Sequence, residues 1–165
     1  MIEQISVDHV TFKTDRSFEE VVVAFEKNVG TIEDIGWGSL AKNSRDYAEF
    51  EERVKDRLGK SDFTRFLTVD HGEWVTLQGL PMKSIMYVIG NPLIAITMIK
   101  HDFEAGLDVP VRVNIYQHKD GKIRFVYNKP STLMSALHSS ELRDAALKLD
   151  AKMMALGEAI TGSQA

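Results

Sequence analysis

Apolar positions along the chain change spacing several times, and each change predicts an element. His9 to Thr14 alternates, with Val10 and Phe12 between polar neighbours, the period of a half-buried strand. Phe18, Val21, Val22, Phe25 and Val29 then recur at helical spacing. Ser17 and Glu20 stand at the positions of a capping box ahead of them, and Gly30 stands as a stop. Thr31 to Asn43 carries no period and reads as a loop, with Trp37 between Gly36 and Gly38. Arg45 to Leu58 reads as a charged helix with a narrow stripe of Tyr47, Phe50, Val54 and Leu58. Phe63 to Asp70 is a strand that runs into a turn at His71 to Trp74.

Ser84 to Ile89 is apolar on both faces and predicts a central strand. It breaks at Gly90-Asn91-Pro92 and resumes in Leu93-Ile94-Ala95-Ile96. Gly tolerates unusual backbone, Asn is a good N-cap and Pro suits the first helical position, so the tripeptide predicts a strand-to-helix switch. The helix from Pro92 to about Phe103 is apolar nearly all round and should be buried, with Gly106 ending it. Val111 to Tyr127 is a hairpin whose register can be decided. A two-residue turn at Asp120-Gly121 mixes polar and apolar residues on both faces. A three-residue loop, Lys119 to Gly121, puts Val111, Val113, Ile115, Ile123, Phe125 and Tyr127 on one face, and predicts Gly121 in the left-handed region. Ser131 to His138 reads as a short turn. A long helix, about Glu141 to Ile160, closes the chain with a stripe of Leu142, Ala146, Leu149, Met153, Leu156 and Ile160.

The order β-α-(α)-β-β-α-β-β-α has more strands than crossover helices. It predicts an α+β fold, a mostly antiparallel sheet with helices packed on one face, as a single domain over residues 1–165. With 165 residues, 44% of them hydrophobic, such a domain needs no disulfide or metal to hold it. There is no Cys, which fits a reducing cytoplasm, and the N-terminal stretch lacks the marks of a signal peptide. The formal charge of −4 and the mixed signs on the charged helix argue against nucleic acid as a partner. The interrupted apolar run argues against a membrane span.

Read in order, "FLTVDHGEW", "YVIGNP", "LDVPVRVNIYQHKDGKIRFVYNKP" and the helical tail resemble the family called domain of unknown function 302. The matching positions are Asp70-His71, Gly90-Asn91-Pro92, Val109-Pro110 and Tyr127-Asn128-Lys129-Pro130, and "FKTDRSFEEVVVAFEKNVG" is similar to the family's first strand and helix. The resemblance implies a fold like half of the TATA-binding-protein fold, and a homodimer. It does not imply DNA binding. Two stretches depart from the family pattern. Residues 31–62 insert a loop and a charged helix, and "GEWVTLQGLP" stands where the family carries a small Ala-rich helix.

Candidate chemistry is sparse. His71 offers a general base or ligand, against the reading in which Asp70 caps the next turn and His71 is structural. Asn91 can be a cap alone, or can present the helix N-terminus to an anion. Arg112 and Arg124 on the polar hairpin face suit surface or dimer contacts, or an acidic ligand. His101-Asp102 suits a helix end. No metal motif, nucleophile elbow or phosphate loop is present, and no cofactor is indicated; Met82, Met86 and Met98 with His71 permit haem ligation in principle but read as core filler. The expectation is a cytoplasmic homodimer binding a small anionic or apolar ligand. Its pocket lies between the sheet and the helix after Asn91. His71, Trp74 and Asn91 rim it, Arg112 is a further ligand contact, and residues 31–62 form a lid. The alternatives are an enzyme with His71 as base, and an interaction module without a ligand.

Overall fold

The computed structural model describes residues 2–165. Six strands form one sheet in the order β1-β6-β5-β4-β3-β2: β1 (His9–Thr14), β2 (Gly30–Thr31), β3 (Thr64–Asp70), β4 (Ser84–Gly90), β5 (Val111–Gln117) and β6 (Ile123–Asn128). All neighbours are antiparallel except β2 and β3. The fold is α+β.

One face of the sheet is covered. Strand alternation sends Phe12, Tyr87, Ile89, Val113, Ile115 and Phe125 to it, all essentially inaccessible. Over them lie α1 (Phe18–Asn28), α5 (Pro92–Ile99) and α7 (Ser140–Thr161). Phe25 of α1 stacks on Tyr87 at 4.4 Å between ring centroids, and Phe12 meets Phe125 at 6.0 Å. The capping box at the start of α1 is formed: the Glu20 amide donates to Ser17 Oγ at 3.2 Å, and the Ser17 amide donates to Glu20 Oε2 at 2.7 Å. The stripe on α7 is core, with Leu142, Ala146, Leu149, Met153, Leu156 and Ile160 buried.

The hairpin takes the three-residue loop. The His118 amide donates to the Lys122 carbonyl, Ile115 faces Phe125, and Gly121 has φ +82°. Among the described residues no helix is seated over the other sheet face. Leu67, Val69, Met86, Val88 and Val126 share it with Arg112, Asn114, Tyr116 and Arg124, and Leu67 is about half exposed (49%).

Several elements differ from the sequence reading. α1 stops at Asn28, and Gly30 belongs to β2. The stretch read as a loop contains α2 (Trp37–Lys42), and α3 is shorter than expected, Tyr47–Lys55. The turn after Asp70 is a helix, α4 (His71–Val75), followed by one 3-10 turn. α5 ends at Ile99 rather than near Phe103, because Asp102 caps a new 3-10 turn, Phe103–Leu107, through the Glu104 amide at 2.9 Å. Gly90 does not take a left-handed backbone; a Cβ there would sit 3.1 Å from Pro110 and 3.2 Å from Phe66, so the site is small rather than strained. A short α6 (Pro130–Leu133) precedes α7.

Candidate functional site

The largest departure concerns α5. A helix this apolar was expected to be buried, yet only Met98 is fully so, and Ile96 is 40% exposed. The reason is a cavity of about 560 Å³ against its flank. Three groups of residues build the walls. Pro92, Ile94, Ala95, Ile96, Met98 and Ile99 come from α5. Gly106 and the Val109-Pro110-Val111 run leading into β5 close a second side, with Leu149 of α7. Aromatic rings close the third: Trp37 from α2, Tyr47 and Phe50 from α3, and Phe66 from β3.

The rings hold one another. Trp37 meets Phe66 edge-on at 5.4 Å and Phe50 at 5.9 Å, and Tyr47 lies 5.9 Å from Phe50. Behind them Ile32, Leu40 and Val54 make a small core of their own, which Phe66 and Leu93 join to the body. The segment between β2 and β3 therefore supplies one wall of the cavity.

Asn91 is the hinge point of this geometry. Its Oδ1 accepts from the Leu93 amide at 2.9 Å, capping α5. Its Nδ2 donates to the Asp62 carbonyl at 2.9 Å, tying down the end of the α2–α3 segment. Asp62 is held further by Lys152 of α7 at 2.7 Å. Asn91 is 8% exposed and lines the cavity, but its amide is committed on both sides. Among the described residues no charged side chain lines the cavity. Glu49, close by on α3, engages both Arg45 and Arg53, which hold its carboxyl down at about 2. Asp108, next to the Val109 wall, has its carboxyl pushed above the usual range by burial, with Arg112 opposing.

The structure brings only Asn91 of the four expected site residues to the cavity. His71 and Trp74 sit at the other end of β3, since Thr64 pairs with Gly90 and Asp70 with Ile85; that separates them from Asn91 by roughly 20 Å at about 3.3 Å per residue. The rim drawn from sequence is thus corrected: strand direction sends the two motifs to opposite ends of the sheet. Asp70 caps α4 through the Glu73 amide at 3.1 Å, and the Trp74 indole N–H reaches His71 Nδ1 at a long 3.4 Å. Arg112 pairs with Val88 on the open face and is exposed there, away from the cavity. Among the described residues no group of three or more His, Asp or Glu converges as metal ligands would. No helix among them is long and apolar enough to cross a membrane.

A second concavity, about 670 Å³ and of mixed polar and apolar lining, lies between α6 and α7, with Lys129, His138, Arg143 and several hydroxyls beside Met134, Leu137, Leu142 and Leu147. Lys129 is shared between Asp8 and Asp150 there.

The model of a family described as "Domain of unknown function DUF302" matches residues 40–160. The match omits β1, α1 and β2 and starts inside the α2–α3 segment. Among solved structures, the crystal structure of an uncharacterized conserved DUF302 protein from Bacillus stearothermophilus matches with a TM-score of 0.64. The identity is 15%, over 92% of this chain and 97% of that one, so the likeness is one of fold. No curated protein matches the chain.

Proposed function

This chain belongs to the DUF302 family, a membership that names no activity, and from the cavity we propose that it is a binding protein for a small, largely apolar molecule. The observation that carries this reading is a 560 Å³ space walled by aromatic and aliphatic side chains, with no charged side chain in its lining among the described residues. Ligand sites commonly fall in the range of roughly 300–1,000 Å³ with apolar walls. Filling the space removes apolar surface from water, worth roughly 25 cal/mol per Å². The anionic alternative loses support here, because the Asn91 amide is used internally and Arg112 lies on the other sheet face. The enzyme alternative loses support because His71 has no access to the cavity.

The test is fluorescence titration with N-phenyl-1-naphthylamine, a neutral apolar reporter. Wild-type protein should show saturable enhancement, and Ala95→Trp, which fills the space from α5, should abolish it at an unchanged melting temperature. Absence of saturable binding, or binding indifferent to Ala95→Trp, overturns the reading.

The homodimer belongs to the same proposal. The apolar centre of the open sheet face, around Leu67, Met86 and Val88, suits a second copy better than nucleic acid or a lipid surface. Cytoplasmic residence is part of it too, supported by the lack of Cys.

A further inference from the structure

We infer that the molecule held in this cavity is a neutral amphiphile: an apolar body seated against α5, with an uncharged hydrogen-bond-accepting head, such as an ester or ketone, at the aromatic side. This rests on the binding reading above and specifies its chemistry.

Three observations carry it. The first is the missing counter-charge. A carboxylate or phosphate head needs a cation, and a cationic head needs a carboxylate, yet the lining holds neither. Of the charged groups nearby, Glu49 engages Arg45 and Arg53 and Asp62 engages Lys152, while Asp108 is outside the lining. An ion brought in without a partner carries a desolvation penalty that a neutral head of the same length escapes.

The second is the supply of donors. The polar atoms of the lining side chains are the Trp37 indole N–H, the Tyr47 hydroxyl and the Asn91 amide. Both atoms of the Asn91 amide are bonded within the chain. The indole N–H and the phenol have no hydrogen-bond partner among the described residues, and both rings are partly open to solvent, at 42% and 57%. Indole N–H can only donate, and a phenol donates readily, so the complementary head is an acceptor.

The third is the contrast between the two sides. The α5 wall is aliphatic, while the α2–α3 wall is a run of rings held edge-on. A long body packs along the first and a polar end meets the second.

The experiment is competition against N-phenyl-1-naphthylamine at pH 8, with one chain length and four heads: methyl decanoate, decanoate, decyltrimethylammonium and 1-chlorodecane. Methyl decanoate should displace the probe at a concentration lower by about tenfold or more than either ion. It should also outcompete 1-chlorodecane, which is similar in length but a poor acceptor. In the double variant Trp37→Phe with Tyr47→Phe, the rings remain and the donors go, so the gap between the ester and the chloride should close. Decanoate or the ammonium competing as well as the ester overturns the inference, as does an ester–chloride gap unaltered by the double variant. Failure of the probe itself to bind wild-type protein strikes the binding reading instead, so the two failures are distinguishable.

Discussion

At Asn91 one amide performs two separable tasks, and substitutions can divide them. Asn91→Ala loses the cap on α5, worth about 1 kcal/mol, and leaves the Asp62 carbonyl without its donor, worth about 1 kcal/mol more. Asn91→Asp keeps an acceptor for the Leu93 amide but has no N–H for Asp62, so its stability should fall between wild type and Asn91→Ala in chemical denaturation. Only the Ala variant losing stability, with Asp equal to wild type, would show that the tie to Asp62 contributes nothing. His71→Ala should change neither the melting temperature by more than a few degrees nor probe binding, since its one side-chain hydrogen bond among the described residues is the long one from Trp74. Asn91 was legible as a cap because Gly-Asn-Pro is a local signal; its second bond, to a residue 29 positions earlier, depends on how the chain returns, which no local pattern encodes. His71 is set apart from Asn91 by strand direction, which its own local sequence does not encode.

Among the elements, those set by local periodicity were readable, and those set by packing were not. The hairpin register followed from which residues could share a buried face, and α1 and α7 from their stripes and caps. α2 was invisible because six residues flanked and interrupted by Gly carry little helical preference; it stands because Trp37 packs on Phe50 and Phe66. The cavity left one trace, a helix too apolar for the cover it receives. The α2–α3 segment is rooted where Gly30 crosses Gly59. A Cβ on Gly30 would lie 1.9 Å from the Arg57 carbonyl oxygen, and one on Gly59 would lie 2.2 Å from that of Asn28. Gly30→Ala should therefore cost about 3 kcal/mol by forcing two backbones apart. Gly38→Ala, inside α2 with nothing within 4 Å of its Cβ, should be neutral or slightly stabilising. Thermal melts of the pair check this, and equal effects would remove the crossing as the anchor.

For the whole molecule the open sheet face is where the proposed second copy would sit. If a second copy covers it, light scattering should give twice the 18.6 kDa chain mass, and Leu67→Glu should return a folded monomer. A wild-type mass of 18.6 kDa at every concentration would leave that face without its proposed cover.

The strand order carries a further consequence, for synthesis rather than for binding. β1 and β2 lie at opposite margins of the sheet, and α1 spans the distance between them. Residues 9–31 therefore leave the ribosome before either pairing partner exists. β2 waits for Thr64 and Arg65, and β1 waits more than a hundred residues for Ile123 to Asn128. Contacts of such long sequence separation slow folding. Until they close, both margins of the four-stranded antiparallel centre stay open to pairing with other chains. Of the two marginal strands, β1 waits far longer than β2 for its partner.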